Sequence, residues 1–145
     1  MSETLLENIM DAAREITGAE QSKAVDSDLK VVKSVNEYAR APKLQAYIDS
    51  NLRRAMDKNE AIITNNVITD PAEAPSTNTS FSDLRIIVAM PVAGHGAVYL
   101  EKHIRDGMIE RETIDKLMRM VADLLDSGEQ TPDSETLIRQ FNAMA

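Results

Sequence analysis

The most constraining stretch is "LRIIVAMPVAGHGAVYLEK", Leu84 to Lys102, in which two apolar runs flank Gly94-His95-Gly96. Two apolar runs around so tight a glycine pair predict an antiparallel hairpin. Side chains alternate faces along a strand, so Ile86, Val88 and Met90 point one way and Ile87 and Ala89 the other. Both sets are apolar. These strands must therefore lie inside a sheet that is covered on both sides. Pro91 interrupts the pattern, because proline removes a ladder donor, and it predicts a bulge or a strand end.

Helices to cover such a sheet are readable on either side of it. Leu5, Leu6, Ile9, Ala12, Ala13 and Ile16 recur at helical spacing, with Thr4 and Glu7 as a capping box and Gly18 as the C-terminal stop. A hairpin follows, with arms Ser22 to Val25 and Leu29 to Asn36 around Asp26-Ser27-Asp28; paired aspartates at such a tip read as turn formers. Pro42 precedes a second helix whose apolar side is Leu44, Tyr47, Ile48, Leu52 and Ala55, and a short strand is expected around Ala61 to Thr64. Ile114, Leu117, Met118, Val121, Leu124 and Leu125 predict a long helix ending before Gly128. A last short helix runs from Glu135 to Met144. The expected fold is α+β with a mostly antiparallel sheet, residues 1–128 forming one domain and 129–145 a linker and short C-terminal helix.

The formal net charge of -8 and 3% aromatic content argue against nucleic acid as a partner. There is no cysteine, which excludes disulfides, thiolate metal sites and thiol nucleophiles. No apolar run is long enough for a membrane span and the acidic N-terminus is unlike a signal peptide, so no membrane and a cytoplasmic location are expected. His95 reads as a hairpin residue, and His103 has no carboxylate or histidine at ligand spacing, so no metal is expected. No nucleophile elbow or phosphate loop is present, and the expectation is a protein that is not an enzyme. The methionines, among them Met56, Met90 and Met118, read as core filling.

Several segments together resemble a GAF domain: "LLENIMDAAREITGAE", "LRRAMDKNEAIITNN", "LRIIVAMPV" and "GAVYLEK", in that order from about Leu5 to Leu125. The resemblance implies the first and last long helices on one face of the sheet and a loop-covered small-molecule pocket on the other. It implies a sensory, signal-transducing domain coupled to an effector domain or signalling partner, or a ligand-free dimerising spacer of a larger signalling protein. Members that use a cysteine are excluded. The cyclic-nucleotide signature is also incomplete, since "YLEKHIRDGMIERE" lacks its Phe.

The pocket cover falls on Ile63 to Leu84, which contains no Lys or Arg. So long a connection is either a lid or a linker. As a lid, held by Ile68 and Phe81, it offers Asn65, Asn66, Asp70, Thr77, Asn78, Thr79 and Ser80 to a small polar ligand, with Arg85 the nearest cation. That inventory favours a neutral or cationic ligand. The same residues equally form Asx-type turns fixed by Asp70-Pro71 and Ala74-Pro75. The resemblance also implies a homodimer, formed through the outer sides of the first and last long helices.

Overall fold

The computed structural model describes residues 2–36, 42–68, 84–127 and 132–144. Helix α1 (Ser2–Thr17) leads into strands β1 (Gln21–Asp26) and β2 (Val31–Val35), then α2 (Pro42–Lys58) and β3 (Ile62–Ile68). Strands β4 (Leu84–Val92) and β5 (Gly96–His103), a 3-10 turn at Ile104–Asp106, α3 (Arg111–Ser127) and α4 (Ser134–Ala143) complete it. The strands form one five-stranded antiparallel sheet in the order β2-β1-β5-β4-β3. The fold is α+β, as expected.

The two-sided hairpin is the centre of the sheet, and its alternation separates two cores. Ile86, Val88, Met90, Val98 and Leu100 pack with α1, α3 and α4 through Leu6, Ile9, Ile114, Leu117 and Leu137. Ile87, Ala89, Ala97, Tyr99 and Val25 face the other way, onto Leu44, Ile48, Leu52 and Ala55 of α2. Each fully buried aliphatic side chain contributes about 1.5–3 kcal/mol, so both layers stabilise the sheet strongly. The face to which the GAF resemblance assigned a pocket carries α2. Residues 69–83, which include most of the expected lid, lie outside the described residues.

Several local expectations need correction. Thr4 and Glu7 lie inside α1, which begins at Ser2, so they do not cap it. The short strand runs on to Ile68, because Val67 and Ile68 pair with Arg85 and Leu84 after an irregularity that accommodates Asn65 and Asn66. Ile63 to Ile68 and Leu84 are therefore strand, and the connection is shorter than the sequence suggested. Pro91 pairs in register with Ala97, whereas the ladder toward β3 ends earlier, at Ala89. It marks a strand end on that side and no bulge. Tyr47 is 44% exposed and not part of the apolar side of α2.

Helix α4 packs on α1 and α3, burying Leu137 and Phe141 in the larger core. Its first turn is held by Asp133, whose Oδ1 accepts a 2.8 Å hydrogen bond from the Thr136 amide. That bond holds the Asp133 carboxyl below its ordinary 3.8. A depressed folded pKa stabilises the helix above the ordinary value and ceases to do so as pH falls through the folded one. Amide protection in α4 should accordingly decline below about pH 3.8, and Asp133→Ala should show the lower protection already at neutral pH. Hydrogen exchange read by NMR measures both; equal protection in the two proteins at neutral pH would show that the cap contributes nothing.

Candidate functional site

One end of the sheet carries an unusual concentration of buried polar groups. Residues of β5 alternate so that Ala97, Tyr99 and Glu101 share the α2 face, and the register sets Gln21 and Lys23 of β1 opposite Glu101 and Tyr99. Arg85 of β4 stands beside them, as the partner of His103 across the β4–β5 ladder. Glu101 is 0% exposed, yet both its oxygens are engaged. The Tyr99 hydroxyl donates to Oε1 at 2.6 Å and Arg85 Nη1 donates to Oε2 at 3.0 Å. The same Arg85 nitrogen lies 3.3 Å from Gln21 Oε1. Lys23 is buried with its Nζ 5.7 Å from the centre of the Tyr99 ring. Buried charges persist only when paired and hydrogen-bonded, and here the partners come from three strands.

A second cluster adjoins the first at the corner after α1. Thr17 returns its hydroxyl to the Ala13 carbonyl at 2.8 Å, and Gly18 at φ 72 turns the chain into β1. That turn delivers Glu20 to the end of β5. Glu20 Oε2 accepts the His103 backbone N–H at 2.7 Å, and its two oxygens lie 2.8 and 2.5 Å from His103 Nδ1. Burial pushes the Glu20 carboxyl upward, but the His103 backbone and side-chain hydrogen bonds, with the charges of His103 and Arg85, outweigh it and hold the group below its ordinary 4.5. Asp106, in the following 3-10 turn, completes a group whose three ligand-type atoms lie within 4.8 Å of one another. His103 thus has two carboxylate neighbours where the sequence reading expected none, Glu20 from far along the chain and Asp106 from three residues on.

The expected ligand set is only partly placed. Asn65 is exposed on β3, and Asn66 also belongs to β3. Asp70, Thr77, Asn78, Thr79 and Ser80 lie outside the described residues, as does Phe81. Arg85, expected in that set as the nearest cation, pairs with Glu101. Glu101, Tyr99, Gln21 and Lys23 were missed. The one available signal was the parity of "AVYLEK", where an acid occupies an inward position of a two-sided strand. A shallow groove of about 240 Å³ at the opposite end of the sheet, lined by Arg53, Met56, Asp57, Pro91 and Gly94, adds no convergent charged constellation.

No family model matches the sequence, and no curated protein matches it. Among solved structures, MglB of Myxococcus xanthus is similar at 9% identity, with 90% of this chain and 95% of that chain covered and a TM-score of 0.48. The gliding protein MglB from Thermus thermophilus is also similar at 9% identity, with 99% and 93% covered and a TM-score of 0.44. The similar structures are not GAF domains. The GAF reading is corrected accordingly, together with its sensory function and its small polar ligand; the spacer alternative gains no clear support from these structures. The segments that suggested it are a glycine-stopped helix, an apolar strand and a glycine hairpin. Such features report an antiparallel α+β architecture and are shared across folds that differ in function. A likeness this distant assigns no function to the chain.

Proposed function

We propose that this chain acts by binding folded proteins, first of all a second copy of itself, and that the outer face of α2 is the contact surface. Lys43, Ala46, Tyr47, Ser50, Arg53, Arg54 and Asp57 are all exposed and recur at steps of three and four residues. They form one stripe along the helix. The observation that carries the proposal is the self-complementarity of that stripe. When two copies of α2 lie antiparallel about Ser50, Lys43 meets the second copy's Asp57 and Tyr47 meets its Arg53, each contact occurring twice, as two-fold symmetry requires. Ala46 and Ser50 keep the centre small enough for close approach. The helix is also basic in an acidic chain, with Lys43, Arg53, Arg54 and Lys58 against Asp49 and Asp57.

The outer sides of α1 and α3 were the expected dimer face, but α4 packs against them with Leu137 and Phe141. The pairing is therefore assigned to α2. The proposal takes the chain to be non-catalytic, requires no loop-covered pocket, and places it in the cytoplasm, where a chain with no cysteine folds without an oxidant. Among the described residues, no helix is long and apolar enough to cross a membrane.

Sedimentation equilibrium is expected to give a dimer, twice the 16.0 kDa of one chain. Lys43→Asp and Asp57→Lys should each weaken it roughly tenfold, and the double exchange should recover most of the loss, because the pair is restored with opposite polarity. A monomer at all micromolar concentrations, or a dimer indifferent to both substitutions, would sink the proposal.

A further inference from the structure

Independently of α2, we infer that Glu20, His103 and Asp106 form a binding site for a divalent transition-metal cation of the zinc type. Glu20 comes from the corner after α1, whereas His103 and Asp106 stand three residues apart, at the end of β5 and in the 3-10 turn that follows it. Their ligand atoms nevertheless lie within 4.8 Å of one another. One imidazole nitrogen and two carboxylates form a mixed N/O donor set that suits zinc, cobalt or manganese better than calcium or magnesium, which prefer oxygen alone.

The local geometry supports a cation at this point. His103 presents Nδ1 to the Glu20 oxygens at 2.8 and 2.5 Å. Tetrahedral ligands about 2.0–2.1 Å from zinc stand about 3.3 Å apart, so the imidazole and carboxylate need to separate by less than about 1 Å to admit the ion. Glu20 is oriented from behind by the His103 amide, which donates to its Oε2 at 2.7 Å, an outer contact of the kind that fixes ligating carboxylates. Asp106 is exposed and its ion pair with Arg105 Nε is long at 3.9 Å, so its carboxylate turns toward the site at little cost. Lys102 donates to the Thr17 carbonyl at 3.0 Å, and Arg85, whose charge reaches Glu20, is hydrogen-bonded to Glu101. With neutral histidine the cluster carries two negative charges, matching a divalent ion. Exposure on the Asp106 side leaves the fourth position to water. A cation held here clips the corner after α1 to the end of β5 and the 3-10 turn that continues it.

Titration of chelator-treated, full-length protein with Co2+ tests the inference, because cobalt in a low-coordinate N/O site gives visible d–d absorption. One Co2+ per chain is expected, displaced by Zn2+ and accompanied by a rise in Tm. Asp106→Asn and His103→Gln should each weaken binding at least tenfold, while His95→Gln, in the distant hairpin, should leave it unchanged. Asp106 is exposed, so its variant tests the site even where His103→Gln disturbs the fold. Absence of saturable absorption, or absorption that survives Asp106→Asn or depends on His95, would overturn the assignment.

Discussion

Gly96→Ala is expected to destabilise the protein by on the order of 4 kcal/mol, enough to unfold a marginal domain. Gly96 opens β5 at φ 153, paired with Val92 on one side and Asp26 on the other. A Cβ built there would lie 2.0 Å from the Val25 carbonyl oxygen and 2.9 Å from the Asp26 Cα. Both obstacles are backbone, so no side-chain rotation relieves them. The strands must part or the hairpin must change its path, and β1 would then lose the register that brings Gln21 and Lys23 to Glu101 and Tyr99. Gly94 provides the comparison within the same turn. Its φ is 79, but nothing lies within 4 Å of an added Cβ, so Gly94→Ala should cost only the left-handed penalty of about 1–2 kcal/mol. Urea denaturation of both variants separates close approach from backbone conformation. Equal losses would mean that the tight contact with β1 does not exist in solution.

These two glycines also mark what was legible in the sequence. The turn was readable from Gly94-His95-Gly96, because local chemistry determines it. The contact that makes Gly96 obligatory was not, because Val25 is far away along the chain. The same division runs through the molecule. Helices α1, α3 and α4 and the two-sided hairpin were readable from periodicity, which is a property of neighbouring residues. Tyr47 was misplaced because its spacing suits either side of the α2 stripe, and only the width of the facing sheet decides. The extension of β3 through Asn65, Asn66 and Val67 was hidden by polar residues with poor strand propensity, which an irregularity in the ladder tolerates.

The polar site was less legible than the fold for the same reason. Glu20 and His103 are 83 residues apart, so no ligand spacing relates them until the sheet order brings β1 beside β5. The GAF resemblance failed at another level. It rested on local patterns common to many antiparallel folds, and it assigned to a ligand the very face onto which Leu44, Ile48, Leu52 and Ala55 pack. Function required the identity of what covers that face. Strand alternation shows only that something must.

Glu101→Ala is expected to cost roughly 3–5 kcal/mol, the penalty for removing one member of a buried ion pair. The substitution deletes the acceptor used by both the Tyr99 hydroxyl and Arg85, and Arg85 is only 13% exposed at its side chain. Water therefore has little access with which to replace the lost carboxylate. Tyr99→Phe, which removes a single hydrogen bond to a charged group, should cost about 1.5–3 kcal/mol. The double substitution Arg85→Met with Glu101→Leu should recover much of the loss, because desolvation of both charges disappears along with their attraction. Urea unfolding of Arg85→Met, Glu101→Leu and the double variant yields the coupling energy. A large coupling would identify Arg85 as a structural cation whose charge is already used, and therefore explain why the nearest basic residue to the 69–83 segment is not held ready for an anionic ligand. If Glu101→Ala lies within about 1 kcal/mol of wild type, close to the ordinary range for surface substitutions, the pair is not buried in solution and Arg85 returns to consideration as a binding residue.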